Sequence, residues 1–204
     1  VVHVIFSFWK RIYKGCSLSE MMKGRIFIVS GVSAAGKTAL VDVVLKRRPN
    51  TIRAISYTTR KPRLEEVDGR DYFFVEKRVF LRMVESGDFL EWSEVYGNLY
   101  GTGLDSFKSI EEGKGVVKIM DVRGALKIKR AGIKAVFIFL KVKKATIRKR
   151  LRKRQESDIE ERTKAVDEEL KAEGEFDHVL VTEGDEGMIE KNAEKLIRVM
   201  DDLH

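Results

Sequence analysis

Gly31-Val32-Ser33-Ala34-Ala35-Gly36-Lys37-Thr38 is the stretch that decides the fold of this chain. It fits G-x-x-x-x-G-K-S/T, a glycine loop that cradles phosphate groups. Its flanks supply the context the motif needs. Arg25-Ile26-Phe27-Ile28-Val29-Ser30 reads as a buried strand just before it, and Leu40, Val41, Val44 and Leu45 take helical spacing just after it. A strand, a loop and a helix N-terminus together make an anion site. Backbone N–H groups point at the phosphates and the helix dipole adds favourable potential. Gly31, Val32, Ser33, Ala34, Ala35 and Gly36 are the candidate cradle for a nucleotide; Lys37 can reach its β- and γ-phosphates, and the Thr38 hydroxyl can ligate Mg²⁺.

Working outward, apolar runs at Ile26–Ser30, Thr51–Ser56, Gly115–Asp121, Lys134–Leu140 and His178–Thr182 read as the strands of a five-stranded parallel sheet. Helical patterns separate most of them: Thr38–Arg48, Leu104–Glu112, the basic run Lys143–Arg154, a stripe of Ile159, Thr163, Val166 and Leu170, and a C-terminal helix carrying Met188, Ile189, Ala193, Leu196, Ile197 and Met200. Alternation of strand and helix predicts a doubly wound α/β core, with ligands outside the carboxyl ends of the strands. Residues 56–103 break the rhythm. They carry Tyr57, Tyr72, Trp92, Tyr96 and Tyr100, turn signals at Pro62 and Asp68-Gly69, and a short helix over Val79, Phe80, Met83 and Val84 stopped by Gly87. This segment is expected to be an inserted α+β unit.

The 204 residues suffice for one compact core with insertions, and the 43% hydrophobic content supports a globular fold. The net charge of +8 and a pI near 9.5 suit a polyanionic partner. The basic residues are spread along the chain without a nucleic-acid motif, so a site for several phosphates is the favoured reading and no nucleic-acid partner is expected. Cys16 is the single cysteine, which excludes an intrachain disulfide and fits a reducing cytoplasm. The apolar start Val1–Trp9 is far shorter than the about 20 residues of a membrane span, and Lys10 and Arg11 follow it, where a secretory signal has its charge first. No membrane partner is expected. Met21-Met22-Lys23-Gly24 reads as a natural start, so residues 1–22 are expected to be a disordered N-terminal extension, with a short peripheral helix as the alternative.

The insertion opens with Ser56-Tyr57-Thr58-Thr59-Arg60-Lys61-Pro62-Arg63, and two arginines three apart near a strand end suit a phosphate. Asp68-Gly69-Arg70-Asp71-Tyr72-Phe73-Phe74, Phe89-Leu90-Glu91-Trp92, Gly97-Asn98-Leu99-Tyr100-Gly101-Thr102 and Asp121-Val122-Arg123-Gly124-Ala125 follow. With these motifs in this order, residues 24 to about 200 resemble guanylate kinase, a P-loop nucleoside monophosphate kinase. The resemblance implies a three-layer P-loop NTPase fold with a CORE (23–55, 104–150 and 166–204), a GMP-binding insertion (56–103) and a helical LID (151–165). It implies ATP and GMP as substrates, GDP as product, dGMP as a further acceptor, and Mg²⁺ with the ATP. Arg60, Arg63 and Tyr72 would hold the GMP phosphate with Tyr100 beside it; Ser56, Glu91, Thr102 and Asp121 would read guanine; Arg154 and Arg162 would join Lys37 and Arg60 around the transferred phosphoryl group. The chemistry agrees for Glu91, since guanine offers N1–H and N2–H₂ donors and a carboxylate accepts both. Outside the motif context, Glu91 reads as an exposed strand charge and Asp121 as a helix N-cap.

Several positions depart from the family pattern. Val32 and Ala34 stand where Pro and Gly are usual; Ile119 and Arg123 replace the first Asp and the Gln of D-x-D-x-Q-G; the connector Gln155-Glu156-Ser157-Asp158 is short; Thr182 stands where many members have Asn. A guanylate-kinase-like module that binds phosphoprotein and a P-loop kinase acting on a sugar phosphate are the rival readings. The intact Gly36-Lys37-Thr38 opposes the first, and Glu91, Trp92 and Gly97–Thr102 oppose the second. The oligomeric state is left open.

Overall fold

The computed structural model describes residues 25–95, 97–110, 112–153, 159–183 and 186–202. The N-terminal extension therefore lies outside the described residues, as do Tyr96 and Arg154. A parallel sheet forms the centre, with strands β1 (Ile26–Gly31), β2 (Thr51–Ala54), β7 (Gly115–Ile119), β8 (Val136–Lys141) and β9 (His178–Val181) in the order β2-β7-β1-β8-β9. Every residue of β1 is buried, which explains the unbroken apolar run Ile26–Val29: a strand covered on both faces has no solvent side to alternate with.

Helices α1 (Lys37–Arg47), α3 (Val122–Arg130), α4 (Lys144–Lys153), α5 (Ile159–Lys171) and α6 (Glu186–Asp201) accompany this sheet. Leu40, Val41 and Val44 of α1 and Val122, Ala125 and Ile128 of α3 are buried in one core that also takes Val166, Leu196 and Met200 from α5 and α6. The result is the layered α/β architecture of P-loop NTPases. No helix among the described residues is long and apolar enough to cross a membrane.

A second sheet lies between β2 and β7 in the chain. Its strands β3 (Ser56–Thr58), β4 (Tyr72–Phe74), β5 (Phe89–Val95) and β6 (Asn98–Gly103) run in the order β4-β3-β6-β5, with helix α2 (Lys77–Glu85) against them. Phe80, Phe89 and Leu99 are buried as its own small core, with the Phe80 and Phe89 rings stacked at 4.5 Å. Gly101 is needed here, because a Cβ would strike the Phe80 and Phe89 rings at 2.8–2.9 Å. After α2, Gly87 N–H bonds Val84 O and Asp88 N–H bonds Met83 O, the paired bonds of a Schellman stop at the expected glycine.

Two expectations are corrected. Thr51–Ser56 is not one strand: pairing with β7 ends at Ala54 opposite Lys118, and Ser56 already pairs with Tyr72 and Thr102 in the second sheet. The chain changes sheets at Ile55. Leu104–Glu112 is a 3₁₀ segment over Leu104–Ile110 rather than an α-helix; Asp105 Oδ1 takes the Ser106 N–H, and Ser106 Oγ reaches Ile55 O. Such local side-chain bonds compete with a regular helix. Helix α3 bears out the N-cap reading of Asp121: it starts behind that residue, whose Oδ1 accepts the Gly124 N–H at 2.8 Å. That N-cap satisfies one of the four amides a helix start leaves without intrahelical partners.

Candidate active site

The P-loop runs from the carboxyl end of β1 to the first turn of α1. Gly31 is required there: its φ is +127°, and a Cβ would lie 2.1 Å from Leu140 O of neighbouring β8. Gly36 forms the N-cap of α1 in the left-handed region, at φ 92°. Ala34 also has positive φ, 56°, which gives a backbone reason for glycine being usual there. Val32 and Ala35 are buried; Val32 N–H bonds Leu140 O and Ala35 N–H bonds Val32 O, fixing the loop to the sheet. Lys37 Nζ folds over the loop and donates to Gly31 O at 2.8 Å and Val32 O at 3.0 Å. Thr38 is exposed at the mouth of the loop.

A carboxylate from far along the chain meets this loop. Ser33 N–H donates to Glu169 Oε2 of α5 at 3.2 Å. Burial pushes the Glu169 carboxyl above the usual carboxylate range, opposed by the Lys37 charge and the Ser33 N–H. Arg150 of α4 donates to Ala34 O at 3.0 Å and to Thr182 O at 3.1 Å, while Thr182 Oγ1 donates to Ala35 O at 2.6 Å. Thr182, where the family often has Asn, thus supports the loop from beneath. Glu169 and Arg150 have no distinguishing sequence signal: each sits in a charged helical run that reads as a solvated face.

The second anion site belongs to the β3–β6 sheet. Thr58 Oγ1 donates to Leu99 O and Thr59 Oγ1 accepts the Leu99 N–H, so the paired threonines pin the chain to β6 just before Arg60. Arg60 Nη2 then takes both oxygens of Glu66 at 2.8 and 2.9 Å, and its guanidinium lies 5.5 Å from the Tyr72 ring centroid. Glu66 also accepts the Arg63 N–H at 2.8 Å, and Arg63 Nη1 lies 3.5 Å from it. Burial works against the Glu66 charge, but the Arg60 and Arg63 contacts prevail and hold its carboxyl below the usual range. Tyr72 and Tyr100 pack edge to face at 6.0 Å, so Arg60, Arg63, Tyr72 and Tyr100 come together around Glu66. The acidic turn residues build this loop: Asp68 Oδ1 accepts the Phe74 N–H and Asp71 Oδ2 the Val67 N–H. Glu66 has a visible signal in its place three residues after Arg63, although nothing in the motif reading gives it a role.

The third cluster lies across the small sheet. Ser56 is directly opposite Thr102, and Thr102 directly opposite Glu91, forming a row over β3, β6 and β5. Glu91 is buried, not an exposed strand charge, and its Oε1 accepts from Thr102 Oγ1 at 2.6 Å. Burial raises the Glu91 carboxyl above its usual range, against the pull of Thr102 and the Lys118 ammonium. A Cβ on Gly124 would meet Asp121 Oδ2 at 3.5 Å and Glu91 Oε2 at 3.7 Å, so Asp121, besides capping α3, stands beside Glu91. Trp92 is half-buried and packs edge-on against Phe80 in the small core. Lys118 of β7 reaches this row from below, a lone cation in an apolar strand. Of the two lid arginines, Arg154 lies outside the described residues; Arg162 falls within α5, and its side chain is not among those described.

Comparison with known proteins adds independent findings. The guanylate kinase family model matches residues 23–203. The guanylate kinase of Thermotoga maritima is 44% identical over 175 residues, covering 83% of this chain and 84% of that protein. The guanylate kinase of Caldanaerobacter subterraneus is 37% identical over 179 residues, covering 85% and 87%. Among solved structures, the guanylate kinase of Anaplasma phagocytophilum superimposes with a TM-score of 0.70 at 27% identity, over 88% of this chain and 85% of that one. Sequence, family and fold agree, and the chain belongs to the guanylate kinase family.

Proposed function

We infer that this chain is an ATP:GMP phosphotransferase, forming ADP and GDP, and that dGMP also serves as acceptor. The observation that carries the reading is the buried Glu91, bonded to Thr102 and beside Asp121, in a chain that keeps a complete P-loop. A buried carboxylate row fits guanine N1–H and N2–H₂ and opposes adenine, which presents no such donor pair.

An oxygen of the GMP phosphate attacks the ATP γ-phosphorus in line, and the bond to the β,γ-bridging oxygen breaks as ADP leaves. No side-chain nucleophile is required. Catalysis in such transfers is mainly positioning and electrostatic stabilisation. Lys37 leaves the Gly31 and Val32 carbonyls for the β- and γ-phosphates, while the loop amides, including that of Ser33, cradle the chain of phosphates. Arg60 and Arg63, with Tyr72 and Tyr100, hold the GMP phosphate in place of Glu66. Ser56, Glu91, Thr102 and Asp121 orient the base. Arg154 and Arg162 bring further positive charge from the lid segment 151–165 when it closes over residues 56–103 and the CORE, a closure that also excludes water.

Among the described residues, no group of three or more His, Cys, Asp or Glu side chains could hold a metal ion by itself. Thr38, exposed at the loop mouth, is the residue that would hold Mg²⁺ arriving on ATP; its hydroxyl oxygen suits this ion, which takes few protein ligands and keeps phosphate oxygens and waters. When bound there, the ion would supply positive charge that offsets the charge of the ATP phosphates. The single cysteine suits a cytoplasmic setting, and the basic surface is assigned to phosphate handling rather than nucleic acid.

A coupled ADP-release assay over GMP, dGMP, AMP, CMP and UMP tests this. The expected order is GMP first, dGMP next and the others far behind. Absence of GMP-dependent ADP release overturns it.

A further inference from the structure

Lys118 is the one lysine buried to 1% exposure among the described residues, and it lies in a strand that is otherwise Gly115, Val116, Val117 and Ile119. It is flanked in the sheet by Ile28 on β1 and Ala54 on β2. Ammonium groups are strongly hydrated and rarely sit in such a place without a purpose that offsets the desolvation. Its Nζ rises toward the carboxyl end of β2 and donates to Ala54 O at 3.3 Å and to Ser56 Oγ at 2.5 Å. Glu91 is the carboxylate whose charge acts on it.

The chemistry of this contact has a direction. An ammonium group donates only, whereas a serine hydroxyl both donates and accepts. At the Lys118–Ser56 contact, Ser56 Oγ must be the acceptor, so its own proton is turned elsewhere. Ser56 starts the row Ser56, Thr102, Glu91, whose members face one another directly across β3, β6 and β5. Directly opposed residues in a sheet point to the same face. Thr102 spends its proton on Glu91. The row therefore offers a hydroxyl donor at one end and a carboxylate acceptor at the other. Guanine presents the complement on one edge: the O6 acceptor, then the N1–H and N2–H₂ donors. Adenine carries a donating amino group at position 6, which a fixed Ser56 donor opposes.

We propose that Lys118 is a specificity-determining positioning residue, which locks the Ser56 hydroxyl as a donor toward the 6-oxo group of the purine. This rests on the reading of Ser56 and Glu91 as guanine contacts. The carboxylate alone checks the N1 and N2 donors; Lys118, through Ser56, adds a check on the atom at position 6.

The test compares GMP with 6-thioguanosine monophosphate, which keeps N1–H and N2–H₂ but replaces O6 by a weakly accepting sulfur. Lys118→Met keeps the volume and removes the ammonium. Its kcat/KM for GMP is expected to fall roughly 10-fold, mainly through KM, the size of one lost hydrogen bond of about 1.4 kcal/mol. For the 6-thio nucleotide the change stays within about threefold, because little of that bond exists to lose. Ser56→Ala gives the same selective loss, and Ser56→Ala with Lys118→Met adds nothing further. Lys118→Gln is the second variant. Its amide carbonyl can accept from Ser56 and reverse the hydroxyl, so its selective loss equals or exceeds that of Lys118→Met. Equal losses on both nucleotides, or a Lys118→Met effect that persists in full on the Ser56→Ala background, overturn the proposal and leave Lys118 as core support. If Ser56→Ala leaves GMP untouched, the guanine assignment of Ser56 fails first, and that outcome is distinct.

Discussion

The two proposed anion sites of this molecule are built alike in chemistry and unlike in chain distance. In the β3–β6 sheet, Arg60 and Arg63 close on Glu66, a carboxylate six and three residues away. In the P-loop, Ser33 N–H meets Glu169, whose carboxylate comes from 136 residues further along the chain. Glu66 is held below its usual carboxylate range by the contacts of Arg60 and Arg63, and Glu169 is pushed above it by burial. The first site is therefore closed by its own loop, while the second is closed by α5, from far along the chain. Charge at the first can be rearranged by moving one short loop. Charge at the second changes only when α5 shifts relative to β1 and α1.

The largest effect is expected where the P-loop is broken. Lys37→Ala should lower kcat by at least about 10²–10³-fold, the cost of deleting a preorganised electrostatic partner of the transition state. The fold should survive, because Lys37 is only half-buried and its bonds go to two loop carbonyls. The pair of readings is a single-turnover assay and a thermal melt. Activity within twofold of wild type would contradict the P-loop role.

Next comes the base end of the second region. Glu91→Gln keeps the shape but puts an N–H₂ where guanine also donates, leaving polar atoms unpaired in a buried site. The expected loss is about 2–4 kcal/mol in GMP kcat/KM, or roughly 30- to 1,000-fold. AMP should lose far less, and the ATP KM should stay near wild type. If GMP selectivity survives intact, Glu91 is not the guanine reader, and the contrast between the two regions reduces to phosphate binding alone.

How much of this was legible in the sequence follows the same division. The P-loop, the Arg60/Arg63 pair and Glu91 are short-range signals, because glycine spacing, two arginines three apart and an acid in a strand are read within a few residues. The parallel sheet was legible from its apolar runs, since strands buried on both faces have no polar alternation. The split of Thr51–Ser56 between two sheets was not, because Ile55 carries no breaker and only the pairing partners decide it. Glu169 and Arg150 were invisible for a similar reason: a helix face reads as solvated until another part of the chain covers it. Asp121 carries both of its sequence readings at once: it caps α3 and stands beside Glu91.

Lys118 sharpens the comparison through pH, since the base end holds a buried cation and the P-loop holds its lysine on loop carbonyls. Burial lowers the Lys118 ammonium from the usual 10.5 to about 8, with Glu91 opposing the change. Between these values the unfolded chain binds the proton and the folded chain does not, so stability rises with pH across that window. Below it the buried charge is a net cost, and the gap between 10.5 and about 8 corresponds to roughly 3 kcal/mol. Lys118→Met should accordingly melt above wild type at neutral pH, with the difference shrinking as pH rises from 8 toward 10.5. A difference that stays constant over this range means that Lys118 folds with the same protonation as in the unfolded chain.

The smallest effects separate the two carboxylates themselves. Under the proposed roles, each occupies donors that a substrate phosphate would use, so each would compete with binding. Glu66, stabilised as an anion, engages Arg60 with both oxygens, and in the proposed role GMP would have to displace it. Glu66→Gln should therefore lower the KM for GMP by about two- to fivefold, the range of a partly exposed ion pair of up to about 1 kcal/mol, and the gain should shrink as salt rises. Among the described residues, the Glu169 side chain accepts the Ser33 N–H at 3.2 Å, and burial favours its neutral form. Glu169→Gln should change the ATP KM by less than Glu66→Gln changes the GMP KM, with weaker salt dependence. Steady-state kinetics over a salt series reads both variants at once. If Glu66→Gln instead raises the KM for GMP, Glu66 preorganises Arg60 rather than competing with phosphate, and the local carboxylate is part of the binding site. If Glu169→Gln has the larger effect, closure from α5 controls the nucleotide sites more strongly than the short loop does, and the ranking of the two regions reverses.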